Sequence, residues 1–182
     1  MPVLEGVVDA LWKFPFKPIT FNSDNGIEFI NSELHNYICN NQKIKFTRSR
    51  AYKKNDNAHV EQKNFTHVRE LFGYERLDRE ELVEVMNIIY RKYFNPLQNF
   101  FIPQIKTKEL TRIGSTYKRK CDEGKTPYQR LMESKELSIF KKMELKKQYE
   151  ILNPITLRKE LNAALAKFNI EINGIIDLGN AA

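Results

Sequence analysis

Ser23-Asp24-Asn25-Gly26-Ile27-Glu28-Phe29 is the stretch on which the fold turns. Ahead of it, Ile19-Thr20-Phe21-Asn22 reads as a buried strand, and Asn25-Gly26 marks a tight turn. An Asp that leaves a buried strand just before such a turn sits at the C-terminal edge of a sheet, where α/β proteins bind ligands. Upstream, Val3, Leu4, Val7, Val8, Leu11 and Trp12 recur at helical spacing until Pro15 and Pro18, which predicts an amphipathic helix over about 3–13. Downstream, Phe29, Ile30, Leu34, Tyr37 and Ile38 form the apolar face of a helix over about 27–40. Lys43-Ile44-Lys45-Phe46-Thr47 then alternates as a short strand.

Further along, residues 48–57 carry Arg48, Arg50, Lys53 and Lys54 without apolar periodicity and read as a mobile basic loop. Val60, Phe65, Val68, Leu71 and Phe72 predict a helix over about 58–72, stopped by Gly73. A helix over about 79–94 follows, capped by Asp78, with Leu82, Val83, Val85, Met86, Ile89, Tyr90 and Tyr93 inward. Asn95–Gln104 reads as a docking loop, and 105–124 as a basic stretch of irregular or β structure. Thr126-Pro127 opens a helix as cap and first position, and about 134–170 is helical and charge-rich. The order of helices and strands is an α/β signature. Two strands are too few for a stable open sheet, so further strands are expected ahead of residue 1.

Composition narrows the classes. Hydrophobic residues at 41% and charged residues at 29% suit a folded chain of 182 residues, one ordinary domain or a small domain with an extension. No apolar run approaches the roughly 20 residues of a membrane span. The opening MPVLEGVVDALWKFPF lacks the marks of a secretory signal, and Cys39 and Cys121 stand far apart without metal-ligand spacing, so a reducing cytoplasm is expected. A net charge of +7 makes a polyanion a fitting partner.

The chemistry lies in two carboxylates. Glu61, within Asn57-Ala58-His59-Val60-Glu61-Gln62-Lys63-Asn64, opens a helix after the basic loop, and the intervening helix and strand return the chain to the edge that bears Asp24. Converging carboxylates in a basic protein suit hard divalent cations shared with substrate phosphates. A pair of such ions about 3.5–4 Å apart drives in-line phosphoryl transfer.

Together, S-D-N-G-x-E-F and the basic F-T-R-S-R-x-Y-K-K-N-D-N-A-H-V-E-Q-K-N resemble the second half of the D-D-E integrase catalytic core of bacterial insertion-sequence transposases. The likeness continues through Gln98–Pro103 and Lys125–Arg130, covering about 3–135. It implies a partial RNase H-like fold over 1–97, lacking its first strands, then a basic linker or small β region and C-terminal helices over 98–182. It implies Asp24 and Glu61, 37 positions apart, as catalytic residues and ligands of Mg²⁺ or Mn²⁺. Arg48, Arg50, Lys53, Lys54 and Lys63 are the expected DNA contacts.

The implied activity is metal-dependent cleavage and transfer of DNA strands, with transposon ends and target DNA as partners. A homo-oligomer is in view, no small-molecule cofactor is called for, and the setting is the bacterial cytoplasm and nucleoid. In that family the first catalytic Asp lies on a strand ahead of the helix matched by 3–13. This chain is therefore expected to be inactive alone, and the alternative is a non-catalytic DNA-binding or self-associating remnant. Asp9, inside a helical pattern, does not take the missing role.

Other residues have plainer readings. Asp24 also suits a turn, and Glu28 and Glu61 suit a helix N-terminus. Asn57 fits a cap as well as a site residue, while His59 and His67 fit surface or packing roles. Phe100 and Phe101 read as core anchors, and the helices of 134–168 as a solvated bundle or an oligomerisation surface.

Overall fold

The computed structural model describes residues 2–23, 26, 29, 31–50, 54–74, 77 and 79–180, apart from the side chains of 2, 54–57, 59, 171 and 173–180. The chain is a mixed α/β protein that divides into two compact units, Met1–Tyr74 and Glu75–Ala182.

The first unit is built around one βαβ crossover. Helix α1 (Pro2–Lys13) lays Val3, Leu4, Val7 and Leu11 against the buried trio Leu34, Ile38 and Ile44. These positions form one stripe at i, i+4 and i+8. Trp12, expected on that face, is 79% exposed, since it stands about 100° around the helix from Leu11. Asp9 is exposed and pairs with Lys13 one turn on.

Strand β1 (Thr20–Ser23) pairs in parallel with β2 (Lys45–Arg48), with Thr20 opposite Lys45 and Ser23 opposite Arg48. Phe21 stacks on Phe46 with ring centroids 5.5 Å apart, locking the register from the core side. Between the strands, the helix expected over 27–40 is described only from α2 (Ser32–Asn36), which passes into a π-helical turn at Tyr37–Asn41. Its start is set by Asn31, whose side-chain oxygen accepts from the Glu33 N–H at 2.8 Å. Phe29 instead donates to the Gly26 carbonyl at 3.0 Å in a tight turn. Lys43, at φ 52°, turns the chain into β2, and the strand therefore begins two residues later than its alternation suggested.

Helix α3 starts at Lys54 and runs to Asn64, so 54–57, expected in the basic loop, are helical. It continues through a π-helical turn at Phe65–Arg69 into the short α4 (Glu70–Phe72), and Gly73, at φ 85°, ends it. The wide turn shifts the helical phase, which separates the expected stripe into two parts. Val60 and Phe65 are exposed, whereas Phe72 is buried.

The second unit opens with α5 (Glu80–Ile89), a π-helical turn at Tyr90–Phe94, and α6 (Asn95–Phe101). Asp78 lies outside the described residues, and Val83 is exposed rather than inward. The expected docking loop is mostly α6, which continues the helical turn at Tyr90–Phe94 in spite of Pro96. Position 97/98 thus falls within a helix. The basic stretch is a hairpin, β3 (Thr107–Ile113) and β4 (Thr116–Cys121), turned at Gly114 with φ 62°.

Helices α7 (Pro127–Glu133), α8 (Ile139–Ile151) and α9 (Pro154–Asn180) complete the unit. Leu82, Ile89, Phe94, Leu97, Leu157, Leu161 and Phe168 are buried, with α9 packed on α5, α6 and the Tyr90–Phe94 turn. Phe100 and Phe101, read as core anchors, are partly buried in an aromatic cluster beside the core. Tyr128 stacks on Tyr149 at 4.8 Å, with Phe100 5.3 Å from Tyr128 and Phe101 5.4 Å from Tyr149.

Candidate carboxylate edge and basic surfaces

Because β1 and β2 are parallel and in register, both end at one edge. Ser49, just past β2, is buried there. Its N–H donates to the Ser23 carbonyl at 3.1 Å, and its hydroxyl reaches the same oxygen at 3.4 Å. The motif that contains Asp24 and the basic motif Arg48-Ser49-Arg50 are thus joined at their first residues. Arg48 and Arg50 are exposed at this edge. Asp24 and Lys53 lie outside the described residues, as does the Lys54 side chain.

Glu61 and Lys63 are exposed on α3. Two positions apart on a helix, they face different directions. Among the described residues, no three His, Cys, Asp or Glu side chains converge into a cation site. Of the two expected carboxylates, Glu61 is the one that the described residues include. Nearby, His67 receives or donates a 2.8 Å hydrogen bond with the Thr66 hydroxyl. Partial burial, and then the charge of Lys63 one turn before it, lower its pKa below the usual imidazole value. That environment fits the packing role assigned to His67.

A second cluster carries no sequence signature. Asp122 accepts from Arg130 Nη1 at 2.6 Å and from the Lys106 N–H at 2.7 Å. These bonds, led by the one from Arg130, hold its carboxyl at about 2. Arg130 Nη2 also donates to the Gln104 carbonyl at 2.7 Å. The clamp therefore fastens the base of the β3–β4 hairpin to α7. Sequence reasoning missed it because the partners are eight residues apart with a helix start between them. The one available hint was an acidic residue closing a basic run.

Above that base, every residue of β3 and β4 is exposed. Residues 106–121 hold six Lys or Arg against the single Glu109, a net +5 of the whole chain's +7.

The chain is 40% identical over 109 residues to the uncharacterized protein y4rM of Sinorhizobium fredii (strain NBRC 101917 / NGR234). That match takes in 58% of this chain and 29% of the relative's length. No family model and no solved structure matches the chain. Among the described residues, no helix is long and apolar enough to cross a membrane.

Proposed function

We propose that this chain is part of a D-D-E transposase or integrase, an enzyme that cleaves DNA strands and transfers their ends. The observation that carries this reading is the parallel register of β1 and β2. It brings the first residue of S-D-N-G-x-E-F against the first residues of R-S-R at one strand edge. That is where an α/β site belongs. Helix α3 follows with the exposed Glu61. On this reading 1–97 belongs to a partial RNase H-like core, with Asp24 and Glu61 as its second and third carboxylates. Mg²⁺ or Mn²⁺ bound there would supply charge neutralisation for the phosphoryl transfer. Arg48, Arg50, Lys53, Lys54 and Lys63 hold DNA phosphates in place beside it, in the bacterial cytoplasm.

A second reading, DNA binding or self-association without chemistry, is favoured by the concentration of charge on the hairpin, which does not depend on the carboxylates.

The test is strand cleavage and joining on labelled duplex ends with Mn²⁺, comparing the chain with Asp24→Asn and Glu61→Gln. Should the chain be active despite the expected lack of its first carboxylate, the enzyme reading requires each substitution to reduce that activity by at least about a hundredfold, the scale lost when a transition-state charge partner is removed. Activity equal in all three proteins, or absent from all three, rejects a catalytic role for these residues in this chain and leaves the binding reading.

A further inference from the structure

We infer that the β3–β4 hairpin is a duplex-DNA-binding ribbon, an interface separate from the carboxylate edge. The inference rests on DNA being the partner, as proposed above, and adds which surface takes hold of it.

The hairpin is anomalous as a piece of fold. A two-stranded ribbon is at best marginally stable in water, and structural ribbons usually bury one face. Here both strands are exposed along their full length. Leu110, Ile113 and Tyr117 are each more than half exposed. The ribbon is held at its base instead, by the Asp122–Arg130 clamp and by the paired hydrogen bonds between Gln104 and Lys125 at 3.0 and 3.3 Å. That arrangement projects the ribbon outward.

Its charge is what selects the partner. Cross-strand pairing sets Glu109 opposite Lys120. Leu110 stands opposite Arg119, Thr111 opposite Lys118 and Arg112 opposite Tyr117. Because side chains alternate between faces, the run Lys118-Arg119-Lys120 places cations on both. Those three form no ion pair within the described residues. Arg112 is partly committed, its Nε donating to the Gly114 carbonyl at 3.0 Å. A ribbon positive on both faces, with an aromatic and aliphatic contact surface between the charges, suits a cleft walled by phosphates. The major groove of B-DNA, about 12 Å wide, admits a two-stranded ribbon, whereas the A-form groove of duplex RNA is too narrow and deep.

The experiment measures binding of the full chain to a fluorescent 25-base-pair DNA duplex across a salt series. Two variants of equal charge change are compared with it: Lys118→Ala/Arg119→Ala/Lys120→Ala on the ribbon and Lys141→Ala/Lys146→Ala/Lys147→Ala on α8. The ribbon variant is expected to bind at least about tenfold more weakly at 0.1 M salt. Its slope of log affinity against log salt should fall by about 2 to 3, one for each lost phosphate contact. The α8 variant should stay within about twofold.

Equal losses in both variants would mean diffuse attraction and overturn the inference. So would unaltered binding by the ribbon variant, no binding by the parent chain, tighter binding to single strands or duplex RNA, or loss of a dimer in sedimentation with no change in DNA affinity. Circular dichroism checks that both variants keep the parent fold, which the exposure of every altered residue on the hairpin leads us to expect. The salt series is run without divalent cation, so that failure of the carboxylate chemistry and failure of the ribbon are read separately.

Discussion

Replacing Leu34 with alanine tests the arrangement on which the carboxylate edge depends. Leu34, on the crossover helix α2, is fully buried at the centre of the first unit, packed with Ile38, Ile44 and the apolar side of α1. It holds α2 against the strands, and α2 is what carries the chain from β1 back to a parallel β2. Removal of three buried carbons costs the lost transfer energy plus the cavity, about 2.7–5 kcal/mol at such sites. Collapse offers little relief, because among the described residues Leu34 is held between Ile38, Ile44 and the side chains of α1. For a folding unit of this size each kcal/mol moves the midpoint by about 4–8 °C, so a loss near 3 kcal/mol lowers it by roughly 12–24 °C.

Thermal melts followed by circular dichroism would measure the shift, with hydrogen exchange across residues 32–48 to place it. Trp12→Ala, at a side chain 79% exposed, is the control and should change stability by less than about 0.5 kcal/mol. A Leu34→Ala shift no larger than that of Trp12→Ala would refute the packing of α1 on the crossover. The shared edge of β1 and β2 would fall with it.

Two further outcomes are expected from the second unit. The Asp122 carboxyl is held at about 2 in the folded chain against 3.8 for a free one. The native state therefore favours its ionised form. The stabilising contribution is complete above about pH 4 and is lost as the pH falls towards 2. An acid titration of hairpin order by nuclear magnetic resonance should show this loss, and Asp122→Asn should remove it; a titration unchanged by the substitution would dissociate the clamp from hairpin order. Thr126 caps α7 in a reciprocal box, accepting from the Gln129 N–H at 3.1 Å while its own N–H donates to the Gln129 side chain at 2.9 Å. Thr126→Ala should cost about 1 kcal/mol and Thr126→Ser much less, as read from urea midpoints; equal effects would assign the loss to the methyl group instead.

Much of this architecture is legible in short stretches. The stripe at Val3, Leu4, Val7 and Leu11 announces α1, Gly73 ends the helix that precedes it, and Thr126-Pro127 marks α7 within one residue. Where the periodicity misled, a feature of the neighbouring backbone decided. Helix α2 starts at Ser32 because Asn31 caps it, and the stripe expected from Val60 to Phe72 divides because a π-helical turn intervenes. Asn95–Phe101 is helical because it continues the turn before it, which outweighs the loop character of its Pro.

By itself, then, the amino-acid order determines the alternation of helices and strands, the excess of positive charge and the two motifs around Asp24 and Glu61. These depend on neighbours within a few residues, or on simple counting. The tertiary structure decided what joins what: Ser23 opposite Arg48, Asp122 gripped by Arg130, and a hairpin exposed on both faces. Register, clamp and exposure depend on which distant segments bury each other, a contest of packing and desolvation that no local pattern encodes.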